Sequence, residues 1–212
     1  MARRGAELRE HILDAAKSVF LEAGFERTSM DAVAAEAQTS KRSLYAHFPT
    51  KDALFLAITE RTRELFAARI GSPERYADDL AEAVARYCAR FQQLLRWSVV
   101  AQTCRICISE ASRLPQAASG LYDAFFGTAL DLLATYLADR LVLSKKAASQ
   151  LAQLLIGATS FPQLPRALFA LDDLDDDLPE ESRLDQDVDV SAIRETVRAL
   201  MPRAADAVPT AS

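Results

Sequence analysis

The fold is decided by residues Thr28–Lys51, which read TSMDAVAAEAQTSKRSLYAHFPTK. Apolar side chains recur at helical spacing from Met30 to Ala37, and a second apolar pair, Leu44 and Phe48, is spaced four residues apart. Three polar residues, QTS, separate the two patterns. The stretch therefore predicts two short helices joined by a tight turn.

Capping residues mark the ends of both predicted helices. Thr28 and Asp31 have the spacing of a capping box, and Ser29 is an alternative cap for the same helix. Ser40 is placed to cap the second helix. Pro49 ends that helix, because the residue before a proline avoids the α region. Each helix is thus predicted to be only about two turns long.

The second helix keeps long polar side chains on its outward face. Such donors suit phosphate oxygens and base edges, so the pair is predicted to be a helix-turn-helix whose second helix reads DNA. The spacing alone fits a small structural helix pair equally well. The predicted DNA-contacting residues are Thr28, Ser29, Thr39, Ser40, Lys41, Arg42, Ser43, Tyr45, His47 and Lys51.

A wider set of residues carries a family resemblance. The segments Phe25–Ser29, Val33–Ala34 and Ser40–Phe55 resemble the TetR/AcrR family of one-component transcriptional regulators in order, spacing and residue type, across about residues 8–60. The resemblance implies a three-helix DNA-binding head on a larger helical body that binds a ligand and dimerises. The chain departs from the family at Gln38, where the family usually has glycine, so glutamine must adopt a turn conformation that glycine takes more easily.

Composition favours an all-α protein of about nine helices. The chain has 212 residues, half of them apolar, with only six glycines, and it lacks runs of alternating polar and apolar residues. It contains no uninterrupted apolar stretch of about 18 residues that could span a membrane. Arg3 and Arg4 are not followed by the apolar region of a signal peptide, and are candidates to enter a minor groove. Three cysteines, an odd number, fit a reducing cytoplasm, where we expect the protein to act.

Breaks in the pattern predict the domain organisation. We expect a DNA-binding domain over residues 1–50, a connecting helix over 51–70 and a ligand-binding and dimerisation domain over 71–212, since Gly-Ser-Pro at 71–73 is the clearest break. Residues 172–189 hold ten acidic residues and one arginine. This segment alone is more negative than the whole chain, whose net charge is −5. Such a segment is predicted to be an exposed, mobile loop. Binding of hard cations there is a weaker alternative, because the segment lacks EF-hand spacing.

The predicted body offers candidates for two further sites. Residues 116–141 carry two apolar stripes and are predicted to form a central helix buried on more than one side. The family resemblance implies a ligand pocket in this region and a dimer built by the last two long helices, which present apolar residues that a single body need not cover. The candidate ligand-binding residues are Tyr87, Phe91, Trp97, Tyr122, Phe125 and Phe126. The candidate dimerisation residues are Leu151, Leu154, Leu155, Ile193, Val197 and Leu200.

The sequence gives little support to an enzyme. It contains two histidines, His11 and His47, and none of the common hydrolase, P-loop or dinucleotide motifs. Cys104 and Cys107 are three residues apart on a predicted helix, without the second pair or histidine of a zinc site. We expect two buried thiols there, with a redox sensor as the alternative. No catalytic residue, metal or cofactor is predicted.

These observations predict a homodimeric regulator that binds a near-palindromic double-stranded DNA operator. A small apolar or aromatic effector is expected to release it from DNA, which would make it a repressor. A helical protein–protein adaptor with a structural helix-turn-helix is the principal alternative. An activator, or a redox-responsive regulator of the same family that uses Cys104 and Cys107, is a second alternative.

Overall fold

The computed structural model describes residues 5–161 and 163–201, and these are almost entirely α-helical, as the sequence predicts. The described residues form no β-strand; a single β-bridge joins Trp97 and Asp175. Arg3 and Arg4 lie outside the described residues. No helix in the described part of the chain is both long and apolar enough to cross a membrane.

The first four helices contain the predicted helix-turn-helix. Gly24 interrupts the first of them with φ 77°, a left-handed conformation that favours glycine. Thr50 caps the fourth helix by accepting a hydrogen bond from the Ala53 amide at 3.0 Å. The helices are α1 Gly5–Arg27, α2 Met30–Glu36, α3 Lys41–His47 and α4 Lys51–Ile70.

Within the described part of the chain eight more α-helices follow, with short 3-10 turns at Pro73–Arg75 and Glu181–Arg183. The helix predicted over residues 116–141 is interrupted, because a π-turn at Asp123–Gly127 separates two α-helical segments. The helices are α5 Leu80–Leu95, α6 Ser98–Ser109, α7 Pro115–Tyr122, α8 Thr128–Leu141, α9 Lys145–Ser160, α10 Gln163–Leu168, α11 Leu184–Asp187 and α12 Val190–Leu200.

The chain divides into two compact units. The first comprises Met1–Leu65 and Gln102–Tyr122, and the second comprises Phe66–Ala101 and Asp123–Ser212. The first unit therefore includes part of α6 and all of α7 besides the N-terminal helices. The functional division predicted at residue 71 stays a prediction.

Aromatic rings form the core of the first unit. The centre of the Phe20 ring lies 5.7 Å from that of Phe25 and 5.2 Å from that of Phe55, and all three side chains are buried. His11 Nε2 lies 2.9 Å from the Ala37 carbonyl, which ties α1 to the end of α2. These contacts hold α4 and the end of α2 against α1.

In the second unit, α5 is surrounded by other elements. Most of its side chains are buried, and α9 and α12 both pack against it. Phe66 packs on Phe125, with 4.7 Å between ring centres, and the Tyr87 hydroxyl donates to the Ala129 carbonyl at 2.8 Å. The core of the second unit thus contains packed aromatic rings, and the buried Tyr87 hydroxyl within it is paired.

The acidic segment, Asp172–Asp189, is anchored, contrary to the prediction of a mobile loop. Its carboxylates are mostly exposed, but Leu184 and Val188 are buried. The Asp175 carbonyl accepts a hydrogen bond from the Ser98 amide at 2.8 Å. Composition misled here because the few apolar residues between the acids supply the anchors, and Arg86 on α5 pairs with Asp185.

Candidate nucleic-acid interface and effector groove

Two serine caps and one strained turn shape the predicted reading helix. Ser29 accepts from the Ala32 amide at 3.1 Å, and Ser40 accepts from the Ser43 amide at 3.0 Å. Between the helices Gln38 has φ 47°, the left-handed region that favours glycine. Gln38 therefore adopts the turn conformation that glycine takes more easily. Of the two predicted caps for α2, the structure uses Ser29.

Several of the predicted DNA-contacting residues have partners within the chain, and their contact with DNA stays a prediction. Thr28 is buried, and its hydroxyl donates to the Gly24 carbonyl at 2.7 Å, so it presents no group to solvent. The Ser43 hydroxyl is bonded to that of Ser40 at 2.9 Å. Thr39 is half-buried in the turn. The Ser40–Ser43 hydrogen bond lies at the start of α3, whereas the Thr28 bond links the chain to the end of α1.

Arg42 and Tyr45 remain on the outer face of α3. They are three residues apart and therefore neighbours on the helix surface. The Tyr45 side chain is 47% exposed. Within the described chain, neither the Arg42 guanidinium nor the Tyr45 hydroxyl forms a hydrogen bond or an ion pair. Both are free to bind another molecule. His47, two residues after Tyr45, is half-buried.

Lys41, at the start of α3, has an internal partner. Its ammonium lies 2.7 Å from the Asp31 carboxylate, and both side chains are exposed. This hydrogen bond, and then the charge of Asp31, raise the pKa of Lys41 above its usual value. A DNA phosphate would compete with Asp31 for the same ammonium. We therefore expect Lys41 to bind phosphate less strongly than an unpaired lysine would.

Lys51 is the predicted DNA contact whose position differs most from expectation. Its ammonium donates to the carbonyls of Phe25 and Thr28, at 2.9 and 3.0 Å, and lies 4.3 Å from the centre of the Phe25 ring. A lysine that bonds the carbonyls near a helix C-terminus stabilises that end. The geometry favours a structural role over the predicted phosphate contact.

The candidate effector site is an apolar groove of about 260 Å³ in the second unit, referred to below as the apolar groove. Of the six predicted ligand residues, Phe91 and Phe126 line it. The buried hydroxyl of Ser160, also in its wall, lacks a hydrogen-bond partner within the described chain. Its other walls come from α8, which is part of the predicted central helix, and from α9 and α10, which the prediction did not include. They comprise Leu130, Gln153, Ile156, Gly157, Phe161, Leu164 and Pro165.

The other four predicted ligand residues do not line the apolar groove. Tyr87 and Phe125 are fully buried in the core, and Tyr122 is exposed in the first unit. Trp97 packs against the acidic segment, where its indole N–H donates to the Asp176 carbonyl at 3.3 Å. The prediction selected residues by their large aromatic rings. Such rings are buried in a protein core as readily as in a groove, so most of the selected residues are core or surface-contact positions instead.

The predicted dimerisation residues divide into two groups. Leu155, Ile193 and Val197 are buried within one protomer, so they do not offer a free surface. The apolar face of α12 is covered by α5 and α9. Leu151 and Leu200 are half-buried, whereas Leu154 is 50% exposed on α9.

The three cysteines are buried, which argues against a redox sensor. Burial raises the pKa of Cys88, Cys104 and Cys107 to about 12 in each case. A thiol reacts as its thiolate, and such a pKa leaves almost none at neutral pH. The structure thus favours their prediction as small apolar core residues.

Comparison with known proteins agrees with this geometry. Residues 12–58 match the model of the family described as bacterial regulatory proteins, tetR family. The HTH-type transcriptional regulator UidR of Escherichia coli (strain K12) is 40% identical over 65 residues, which are 31% of this chain and 33% of UidR. The match therefore spans about a third of the length of that curated relative.

Solved structures extend the likeness to the whole fold. A TetR-family transcriptional regulator from Mesorhizobium loti MAFF303099 has a TM-score of 0.73 at 21% identity, over 94% of this chain and 98% of that chain. The flavonoid-responsive regulator FrrA has a TM-score of 0.67 at 28% identity, over 93% and 99%. Salmonella enterica GusR has a TM-score of 0.61 at 21% identity, over 92% and 95%. Residues 12–58 thus match the TetR family of bacterial regulatory proteins, and the chain as a whole has the fold of solved regulators of that family.

Proposed function

We propose that this protein regulates transcription by binding a DNA operator through α3. The observation that carries the proposal is the uncommitted pair Arg42 and Tyr45 on a helix whose position is fixed by caps and by the turn at Gln38. An exposed guanidinium offers up to five donors in a planar fork, which fits guanine edges and phosphates. The TetR family is a family of regulators and not of enzymes, which supports the same assignment.

The N-terminal ends of α2 and α3 add a second way to hold DNA. Helix N-termini carry partial positive charge and attract phosphate. The exposed caps Ser29 and Ser40 mark these two ends. In this proposal the caps and amides position the protein on the phosphate backbone, whereas Arg42 and Tyr45 distinguish base sequences.

Two copies of the chain would bind a near-palindromic operator as a homodimer. An apolar stripe on α9 supports this, because Ala147, Leu151, Leu154, Ala158 and Phe161 are spaced alternately four and three residues apart, and all are half-buried or exposed. Such a heptad-like stripe packs well against its own copy on a second helix. A two-fold dimer places two reading helices on successive turns of the operator.

The effector is proposed to be a small apolar or aromatic molecule that releases the protein from DNA. The apolar groove supplies rings and aliphatic side chains, and the Ser160 hydroxyl supplies one polar contact. FrrA, a flavonoid-responsive regulator, is 28% identical in sequence to this chain. This likeness supports a polyphenol-like effector for the present protein. On this basis the protein acts as a repressor.

The proposal is tested by selecting genomic fragments on the full-length protein and measuring affinity for the selected operator by fluorescence anisotropy. Arg42→Ala and Tyr45→Ala are each expected to weaken binding by about 1–3 kcal/mol. Arg198→Ala is the matched control, since it removes an exposed arginine from α12. If the wild type and the Arg42→Ala/Tyr45→Ala double variant bind the operator with equal affinity, α3 is not the element that recognises it. Failure to select any duplex would favour the adaptor.

A further inference from the structure

A second groove, lined mainly by polar residues, lies in the second unit between α8 and the 3-10 turn Pro73–Arg75. It has a volume of about 380 Å³ and shares no lining residue with the apolar groove. Its walls carry three carboxylates, those of Glu74, Asp131 and Asp139, and no lysine or arginine. We refer to it as the acidic groove.

The carboxylates of the acidic groove differ from most other acidic groups in the unit. Within the described chain, Glu74, Asp131 and Asp139 have no hydrogen bond or ion pair. By contrast, Glu82 binds the guanidinium groups of both Arg86 and Arg194. Three negative charges around one concave surface repel one another and attract a cation.

An unpaired phenol lies in the same wall. Tyr136 is only 6% exposed, yet its hydroxyl has no hydrogen-bond partner within the described chain. The Arg140 guanidinium lies 5.4 Å from the centre of the Tyr136 ring, but it donates to the Asp78 carbonyl at 3.2 Å. Buried polar groups normally find a partner. An N–H donor bound in the groove would supply one to the Tyr136 oxygen.

The spacing of the carboxylates restricts the class of cation. Asp131 and Asp139 are eight residues apart on α8, which corresponds to about 12 Å along the helix axis. A single metal ion needs its oxygen ligands within about 2.6 Å, so it cannot bridge them. No group of three or more metal-ligating side chains is brought together anywhere in the described residues. A flexible chain with ammonium groups at intervals matches the separation.

We propose that the acidic groove binds a linear polyamine. Its terminal ammonium groups pair with Asp131 and Asp139, and Glu74 faces them from the 3-10 turn. An N–H group of the polyamine donates to the Tyr136 hydroxyl, and its methylene chain lies along Leu132. This site is separate from DNA recognition and from the effector proposed for the apolar groove.

The test is calorimetric titration of spermidine into the full-length protein without DNA, at near-physiological salt. Asp131→Asn and Asp139→Asn are each expected to weaken binding about threefold to tenfold, and Tyr136→Phe by about twofold to fivefold. Glu195→Gln is the matched control, because it removes one exposed negative charge on α12, outside the groove. Its affinity for spermidine should equal that of the wild type.

Three further titrations separate this site from general attraction of cations. Putrescine, a shorter diamine, and butylamine, a monoamine, should bind more weakly than spermidine because neither spans both aspartates. Magnesium chloride should not compete at equal ionic strength. The proposal is overturned if the wild type gives no saturable binding, if magnesium binds as tightly as spermidine, or if Glu195→Gln weakens binding as much as Asp139→Asn. Circular dichroism of each variant checks that it is folded.

Discussion

Lys51, the first residue of α4, donates a hydrogen bond to the backbone carbonyl of Thr28, with 3.0 Å between Nζ and the oxygen. The same ammonium reaches the Phe25 carbonyl at 2.9 Å and lies over the Phe25 ring. Lys51 thereby holds the start of α4 against the end of α1. A residue predicted to contact DNA is thus also placed to stabilise the fold around the reading helix.

Replacing Lys51 by methionine keeps most of the aliphatic stem and removes the donors. The free energy of unfolding should fall by about 1–3 kcal/mol, since the lost hydrogen bonds involve a charged group. Urea denaturation followed by circular dichroism measures this, with Lys17→Met, which changes a half-buried lysine on α1, as the control. If Lys51 is structural, the slope of operator affinity against salt concentration stays unchanged. If the slope for Lys51→Met is instead lower by about one and its stability is unaltered, the result would support the predicted phosphate contact.

At Gln38 a substitution is predicted to stabilise the protein, in contrast to Lys51→Met. A residue with a side chain adopts a φ of 47° at a higher conformational free energy than glycine does. Gln38→Gly should therefore raise the free energy of unfolding by about 0.5–1 kcal/mol, although glycine also makes the unfolded chain more flexible. Ala35→Gly, an exposed change within α2, should lower it by about 0.5–1 kcal/mol. Destabilisation by both substitutions would show that the turn does not require a left-handed residue.

The turn and its caps were predictable because their signals are local. Ser29, Ser40 and Thr50 each bond an amide three residues ahead, a spacing that is visible in the sequence. Gln38 was recognised by comparison with the family pattern. The same local signal is present at α9, where Ser144 accepts a hydrogen bond from the Ala147 amide at 3.3 Å.

The acidic segment and the grooves depend on partners far away in sequence. The Arg86 guanidinium binds the Asp185 carboxylate at 3.1 Å, across 99 residues. Charge counting treats Asp185 as unpaired and therefore predicts an unattached loop. In the same way, no local pattern separates Phe126, which lines the apolar groove, from Phe125, which is fully buried beside it. Their environments follow from tertiary packing alone.

Glu82 should make stability depend on pH. Hydrogen bonds from Arg194, and then from Arg86, lower the pKa of Glu82 from its usual 4.5 to about 2. A carboxyl group whose pKa is lower in the folded protein contributes stability above its unfolded pKa, and that contribution is lost as the pH falls. Glu82→Gln should thus cost about 1–3 kcal/mol at neutral pH, with the difference from wild type shrinking between about pH 4.5 and pH 2.

Denaturation curves at several pH values measure this difference. Glu195→Gln is the control, because Glu195 is exposed on the same helix as Arg194 but has no partner within the described chain. A cost of Glu82→Gln that stays constant down to pH 2 would mean that the two arginines do not favour the ionised carboxylate.

Leu154 tests the proposed dimer surface. It is 50% exposed on α9, so glutamate can be tolerated there by a single folded chain. Leu154→Glu should place two like charges near the dimer axis and give monomers in sedimentation at micromolar concentration, with weaker operator binding. Val142→Glu is the control, since it introduces the same charge at another exposed apolar residue, outside α9. A Leu154→Glu variant that remains dimeric would exclude the α9 stripe.

The apolar groove gives the last prediction, which concerns the effector. A panel of flavonoids and of simple aromatic acids, screened by thermal shift, should contain a compound that raises the melting temperature and releases the operator. By linkage, the factor by which the compound weakens DNA binding must equal the factor by which DNA weakens binding of the compound. Trp97 emission is expected to report on the acidic segment, because its indole is bonded to Asp176 and does not line the groove.

Two variants locate such a compound within the apolar groove. Phe126→Ala removes a ring from the wall and should weaken binding of the compound about tenfold or more. Ser160→Ala should weaken a hydroxylated compound by about 0.5–1.5 kcal/mol but leave its analogue without the hydroxyl unaffected, since only the former can bond the unpaired Ser160 oxygen. Ser149→Ala, on the same helix but outside the groove, is the control. A compound that releases the operator equally from all of these variants acts at another site.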